Sequence, residues 1–290
     1  MSAENKAPSN EKTALVDILS GALSIPGVKV NRESFLVQTF PKVEPAIREK
    51  ILAEGPVRAG FTKEELHRIA SNIIARYTWT STGASFLTGL PGGVAGTTIG
   101  ISADTMQYFG IALRLAQEIS YLYGAEDLWN DNSINLDAVM NRFVLYFGVM
   151  LGAGGAAATM RVAFAALGKQ VLKKLPQKAL MKTFYYPIIK SIAKFFGKQM
   201  TKTTFAKGVS KVVPLIGGVV SGGITFATMP PMGNKLVEAF EILCFNYTDE
   251  KLEQDIETMK STAVLEIEAE GEVSSDDDTE TIPEDFQDNQ

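Results

Sequence analysis

The sequence predicts an all-α protein, a multi-helix bundle with closely packed, glycine-rich helical hairpins and a disordered acidic C-terminal tail. Two observations indicate this fold class. Strand signals are few, because β-branched residues rarely alternate with polar ones. Helix start and stop signals, by contrast, recur along the 290 residues, and a hydrophobic content of 46% is enough for a sizeable core.

The predicted domain plan has three parts. Residues 1–13 form a flexible N-terminus, residues 14–260 a single helical domain, and residues 261–290 an acidic disordered tail. The first twelve residues lack a basic region followed by an apolar core, so no secretory signal is expected there.

The first helices have clear local signals. A turn at Pro26-Gly27 is expected to separate a short helix from a second helix that begins at Asn31. Thr62 and Glu65 have the spacing of a capping box, in which each side chain satisfies the other residue's backbone N–H. That pair predicts a helix running toward Thr80.

The later helices follow breaks in the pattern. The Leu-Pro-Gly-Gly break at 90–93 predicts a long helix from about Val94 to Tyr123, ended by Gly124 as a left-handed cap. Three further helices are predicted, with start signals at Asn135-Leu-Asp, Leu175-Pro176 and Met229-Pro-Pro. The first of them would run through the Ala/Gly-rich region, and the last would reach toward Lys260.

Glycines recur at every fourth position in three apolar stretches, which places each set on one face of a helix. These positions are Gly92, Gly96 and Gly100; Gly148 and Gly152; and Gly218 and Gly222. Such faces let another helix backbone approach closely. Tight packing in a soluble bundle and helical hairpins that dip into lipid both fit this pattern, and the sequence leaves both interpretations open.

Charge is separated into blocks along the chain. Between Ala138 and Val237 there are fourteen basic residues and no acidic one, although the whole chain has a net charge of −5. After Lys260 there are eleven acidic residues and no basic one. Such a separation indicates an interaction surface.

The most basic part, residues 169–211, contains eleven lysines and no arginine. On a helix these lysines would lie opposite aromatic and aliphatic residues, which is the pattern of an interfacial amphipathic helix. The alternative is a solvated lysine face whose apolar side packs on the core, but the absence of acidic partners favours membrane contact. Nucleic acid is not the expected partner, because arginine is missing. The predicted lipid-binding residues are Lys173, Lys174, Lys178, Lys182, Lys190, Lys194, Lys198, Lys202, Phe195 and Phe196.

No catalytic residue, cofactor or metal site is predicted. Residues 152–157 fit the dinucleotide-binding pattern G-x-G-x-x-A, but no acidic residue follows about 20 positions later, so a small-residue helix is the better interpretation. Glu64 and His67 have the spacing of half a di-iron site, yet the chain has a single histidine. His67 is therefore expected to be a structural or surface residue, and Cys244 a core residue.

Four polar residues share one face of the helix predicted before Gly124. They are Asp104, Gln107, Arg114 and Glu118. The interpretation that we prefer is a polar face toward solvent. The functional alternative is a polar network in an otherwise apolar bundle, in which Arg114 and Glu118 would form the natural ion pair.

Two segments resemble the signature segments of the EcsC family of bacterial proteins. The first, Thr88 to Gly124, reads TGLPGGVAGTTIGISADTMQYFGIALRLAQEISYLYG and contains a glycine-proline turn, an Ala-Asp pair and a final Tyr-Gly. The second, Val209 to Phe226, contains Pro-x-x-Gly-Gly. The resemblance extends over about Ala14 to Glu257. It implies no catalytic residues and an association with membrane processes, since the family takes its name from a gene beside an ABC transporter linked to secretion.

These features predict a non-enzymatic, membrane-associated protein that contacts anionic lipid through residues 169–211 and supports a membrane transport or secretion process. The alternative is a soluble bundle that binds a lipid or another apolar ligand. The expected location is cytoplasmic, peripheral at the inner face of the cell membrane. Anionic lipids are the expected partners, with a membrane protein as a further candidate.

Overall fold

The computed structural model describes residues 19–80, 103–129, 136–168, 188, 189, 192 and 220–273. Within these residues 77% are helical and there is no strand, which confirms the predicted all-α fold. After a helical segment at residues 19–23, the helices are α1 (Arg32–Thr39), α2 (Pro45–Glu54), α3 (Lys63–Thr80), α4 (Ala103–Leu122), α5 (Leu136–Leu151), α6 (Ala156–Gly168), α7 (Val220–Phe245) and α8 (Asp249–Val273).

The local signals near the N-terminus are confirmed. Asn31 caps α1, with its Oδ1 accepting a hydrogen bond from the Ser34 backbone N–H at 2.8 Å. At the start of α3, the Thr62 N–H donates to Glu65 Oε2 at 2.9 Å, and the Glu65 N–H donates to Thr62 Oγ1 at 3.3 Å. This reciprocal pair is the capping box that the sequence predicts.

Helix α4 ends as predicted, before Gly124, whose φ of +91° lies in the left-handed region. The predicted beginning of this helix, near Val94, lies outside the described residues. The same is true of the basic helix predicted from Leu175, apart from residues 188, 189 and 192.

The prediction of one helix through the Ala/Gly-rich region is wrong. Helix α5 ends at Leu151, and α6 begins at Ala156. Between them Gly152 has a φ of +74°, a conformation that glycine adopts without strain and that stops a right-handed helix. Gly152 therefore ends α5 and does not share a helix face with Gly148.

The predicted start of the last helix is also wrong. Helix α7 begins at Val220, so Pro230 and Pro231 lie inside it, and a break after Phe245 separates it from α8. A proline removes only the hydrogen bonds near its own nitrogen, and burial of the flanking Met229 and Met232 offsets that loss. Helix α8 continues beyond the predicted boundary at residue 260.

The centre of the bundle is α7, which packs against α3, α4, α5 and α6. Gly233 of α7 lets α3 approach closely, since a Cβ at this position would lie 2.7 Å from Ile74 Cγ1. On α5, a Cβ at Gly148 would overlap the side chain of Ile188. Glycine thus marks two of the tightest contacts in the core.

Candidate functional site

A buried carboxylate on α4, that of Glu118, is the centre of a polar cluster. Its Oε2 accepts a hydrogen bond from Nη2 of Arg76 on α3. Its Oε1 accepts one from the Tyr77 hydroxyl at 2.6 Å and lies 3.4 Å from Nε of Arg114. Helices α3 and α4 thus supply two arginines and a tyrosine to one carboxylate.

The same face of α4 holds the N-terminal segment in place. Nη1 of Arg114 donates a hydrogen bond to the carbonyl of Gly27. The buried Gln117 amide donates to the carbonyl of Val28 at 2.9 Å and accepts from the N–H of Val30 at 3.0 Å. These bonds bring residues 27–30 against the polar cluster.

The two arginines differ from their carboxylate partner in solvent exposure. The Glu118 side chain is 3% exposed, whereas those of Arg76 and Arg114 are 53% and 34% exposed. Burial of an unpaired carboxylate would cost several kcal/mol, and these contacts offset that cost at Glu118. Burial, and after it the Glu118 carboxylate, raises the pKa of Tyr77 well above its ordinary value, so its hydroxyl stays a donor.

A cleft of about 400 Å³ opens beside this cluster, and we call it the Glu118 cleft. Lys29 is one of its lining residues, and Nζ of Lys29 lies 4.9 Å from the ring centroid of Trp129, a cation–π contact. The Trp129 indole donates a hydrogen bond to Gln117 Oε1 at 2.9 Å. The lining residues are Lys29, Val30, Asn31, Ser34, Phe35, Gln38, Thr39, Ile69, Asn72, Ile73, Arg76, Arg114 and Glu118.

A second polar cluster lies between α3 and α7. The buried Glu241 accepts a hydrogen bond from the Tyr123 hydroxyl at 3.0 Å, and its carboxylate lies 2.8 Å from His67 Nδ1 and 3.5 Å from Lys63 Nζ. His67 is thus a structural residue at the bundle surface, as expected. Nearby, burial raises the pKa of the Cys244 thiol to about 12, which keeps it protonated and unreactive.

The predicted polar face is only partly described. Arg114 and Glu118 form the ion pair that the sequence suggested, but Glu118 is buried, so our preferred interpretation of a face toward solvent is wrong at this position. Asp104 and Gln107 lie on α4, and their side chains lie outside the described part of the structure.

Most of the other predicted site residues lie outside the described residues. Of the glycine sets, Gly148 contacts Ile188, Gly152 ends α5, and Gly222 lies within α7. The positions outside are Gly92, Gly96, Gly100, Gly218, Lys173, Lys174, Lys178, Lys182, Lys190, Lys194, Lys198, Lys202, Phe195 and Phe196.

Sequence reasoning missed Lys29, Arg76, Tyr77 and Trp129. Each contacts a residue at least twelve positions away, across a helix–helix interface or a loop, so no short-range spacing in the sequence predicts these contacts. A usable signal was present at Glu118 alone, because an acidic residue surrounded by apolar neighbours on α4 must find a cationic partner if it is buried.

Three further findings bear on function. No helix among the described residues is both long enough and apolar enough to cross a membrane. The described residues contain no group of three or more His, Cys, Asp or Glu side chains that could hold a metal ion. No protein-family model, curated protein or solved structure matches the chain.

Proposed function

We propose that the protein is a non-enzymatic, peripheral membrane protein that binds anionic lipid through residues 169–211, here called the basic segment. One observation carries the proposal: the chain has fourteen basic residues and no acidic residue between Ala138 and Val237. Two of them, Arg142 and Arg161, pair with acidic residues from outside this range. The eleven lysines of the basic segment have no acidic residue among them in sequence, so a surface of the opposite sign is their natural partner.

The described residues of the basic segment indicate how it is attached. Ile188, Ile189 and Ile192 are buried in the core at 1%, 6% and 0% exposure. In the predicted amphipathic pattern they belong to the apolar side, which is therefore used for packing on the bundle. Lysine charge, more than apolar insertion, is then expected to supply the affinity for lipid, at about 1 kcal/mol for each lysine near an anionic surface.

We also propose that the chain belongs to the EcsC family, on the resemblance of residues 88–124 and 209–226. This assignment supports a role beside a membrane transport or secretion system, at the cytoplasmic face. The alternative function, a soluble bundle for a lipid or apolar ligand, has less support from the Glu118 cleft, since an acyl chain does not match a lining that contains Arg76, Arg114 and the Glu118 carboxylate.

Vesicle flotation tests the proposal. Purified protein should float with phosphatidylglycerol-containing vesicles but not with neutral phosphatidylcholine vesicles, and added salt should release it because lysine attraction is screened. Absence of flotation with both vesicle types would overturn the proposal, and lipid co-purifying with the protein would then favour the alternative. Retention of the bound protein through a carbonate wash would instead show inserted helices.

Matched lysine variants make the test specific to the basic segment. Replacing Lys190, Lys194, Lys198 and Lys202 with Gln should weaken binding by up to about 4 kcal/mol. A control has the same charge change at four lysines elsewhere on the chain: Lys42, Lys50, Lys251 and Lys260. Equal losses in the two variants would mean that net charge alone drives binding, and would count against the basic segment.

A further inference from the structure

Helix α8 is anchored to α6 and continues beyond it. The two helices run antiparallel, because Asp255 pairs with Arg161 while Thr262 lies against Gly155, just before α6 begins. A Cβ at Gly155 would lie 2.9 Å from Thr262 Oγ1. Helix α8 runs on to Val273, so residues 263–273 extend about 16 Å past this contact.

The basic segment returns to the same end of α6. It begins directly after α6 ends at Gly168. At Ile188 the chain lies beside the opposite end of this helix, because a Cβ at Gly148 would meet both the Ile188 side chain and Ala156, the first residue of α6. Ile188 and Thr262 therefore lie at one end of α6.

Opposite charges meet at this end of the bundle. Residues 263–273 of α8 contain no basic residue and four glutamates, at positions 266, 268, 270 and 272. In the basic segment, Lys190 directly follows the core residue Ile189. Lys235 of α7, a further exposed cation, lies against the turn between α5 and α6. Helix α8 thus brings glutamates to the part of the chain that has no acidic residue of its own.

We propose that residues 263–273, here called the acidic end of α8, dock on the basic segment and compete with anionic lipid for its lysines. The competition rests on the proposed function, whereas the docking does not. Because both segments are held at one end of α6, their contact within one chain is favoured by a high effective concentration. Exposed ion pairs are individually weak, so a densely charged lipid surface displaces the acidic end, and a weakly charged one does not.

Zero-length carbodiimide cross-linking of the full-length protein tests the docking without lipid, because it joins a carboxylate to an amine only when the two are in contact. Trypsin leaves residues 261–290 as one peptide, since no basic residue follows Lys260. In the monomer fraction, residues 266–272 of this peptide should be joined to lysines of the basic segment.

Two lysines far from α6 in sequence are the internal control for the cross-links. Lys42, between α1 and α2, and Lys50, on α2, are both exposed. Cross-links to these lysines as often as to the basic segment, or none to the basic segment, would overturn the proposal. Cross-links confined to the dimer fraction would make a second copy the partner, which overturns it as well.

Vesicle flotation tests the competition with two matched variants of the full-length protein. The first replaces the four glutamates of the acidic end of α8: Glu266→Gln, Glu268→Gln, Glu270→Gln and Glu272→Gln. Its affinity for vesicles of low phosphatidylglycerol content should rise by about fivefold or more, since one exposed ion pair contributes up to that factor. The control makes the same charge change at four exposed residues: Glu44→Gln, Glu49→Gln, Glu54→Gln and Glu64→Gln. Equal gains in the two variants would mean that net charge governs binding, and would overturn the proposal.

Deletion of residues 274–290 separates the acidic end of α8 from the residues that follow it. The deletion removes seven acidic residues and leaves α8 complete, so it should raise vesicle affinity less than the four Gln replacements do. A larger gain from the deletion would assign the competition to residues 274–290 and overturn the proposal.

The two proposals fail in different measurements. If neither the native protein nor the first variant floats with any phosphatidylglycerol vesicles, lipid binding by the basic segment is wrong, and the cross-links still decide the docking. If both float with equal affinity, lipid binding stands and the competition is wrong.

Discussion

Two buried carboxylates in the described part of the bundle contact arginine, and their surroundings are built differently. Between α6 and α8, Nε and Nη2 of Arg161 donate hydrogen bonds of 2.7 and 2.6 Å to the two carboxylate oxygens of Asp255. Both side chains are buried, at 8% and 3% exposure. Between α3 and α4, by contrast, Glu118 is equally buried but its two arginines reach solvent.

The difference separates an ion pair that is closed to solvent from one that borders a cleft. In the Arg161–Asp255 pair, each charge is matched by one opposite charge in bidentate geometry, and neither can exchange its partner for water or a ligand. In the Glu118 cluster, the carboxylate contacts two arginines whose side chains are partly exposed and line a cleft. Burial of the carboxylate is common to the two clusters. They differ in how exposed its arginine partners are and in how many of them there are.

The largest effect is expected at the closed pair. Asp255→Asn would leave the Arg161 guanidinium charged, buried and without its anion, so the free energy of unfolding should fall by about 3–5 kcal/mol. Urea denaturation measures this loss. Because the apolar contact between α6 and α8 involves few other buried side chains, limited proteolysis should show that α8 is cleaved first.

Two controls accompany this variant. Glu257→Gln removes the same type of charge from an exposed position on α8 and should change stability by no more than about 0.5 kcal/mol. The double replacement Arg161→Met with Asp255→Leu should recover most of the loss, since apolar residues can replace a buried pair at little cost. A loss below about 1 kcal/mol for Asp255→Asn would contradict the contrast between the two clusters.

A smaller loss is expected at the open cluster. In Glu118→Gln the amide oxygen keeps the hydrogen bond at one of the two carboxylate positions, from Arg76 or from Tyr77, while the amide NH2 replaces the acceptor at the other. Both arginines can still be hydrated at their exposed ends. The expected decrease in the free energy of unfolding is about 1–3 kcal/mol, measured by the same urea titration. A decrease equal to that of Asp255→Asn would show that the arginines of the cleft are as dependent on their carboxylate as Arg161 is.

Local features of the fold were predictable, because their partners lie a few residues apart. Thr62 and Glu65 are three positions apart, and a glycine that follows a long helical pattern, such as Gly124, commonly ends the helix. Gly152 was misread because a glycine at a four-residue spacing fits a packing face as well as a helix stop. A side chain at Gly152 would meet Lys235 of α7, more than eighty residues away, and no local spacing shows that contact.

The candidate site was predictable only in part. The spacing of Arg114 and Glu118 indicated an ion pair, but whether that face is buried depends on α3, which supplies Arg76 and Tyr77 from about forty residues earlier. No local pattern encodes that packing. The contribution of Lys29 depends in addition on the turn at Gly27, so the cleft exists only in the folded bundle.

Alkaline pH should produce the smallest difference between the two clusters. Each contains a tyrosine beside its carboxylate, and burial, followed by the charge of Glu118 or Asp255, raises the pKa of Tyr77 and of Tyr247. A raised tyrosine pKa stabilises the fold below the unfolded-state value of about 10, and this contribution is lost as pH rises above it. Tyr77 is the more deeply buried of the two, so its contribution should be the larger.

The measurement is the difference in the free energy of unfolding between about pH 8 and pH 10.5. Tyr77→Phe should reduce this difference by about 1 kcal/mol or less, because an unfolded tyrosine is only partly ionised at the higher pH. Tyr247→Phe should reduce it by no more than this, because ionisation of the unfolded tyrosine sets the same upper limit for both residues. Using a difference between two pH values cancels any change in stability that a variant shows equally at both. A larger effect of Tyr247→Phe would contradict this order. It would mean that water reaches Tyr77 through the Glu118 cleft, and that the cluster is more open than its geometry indicates.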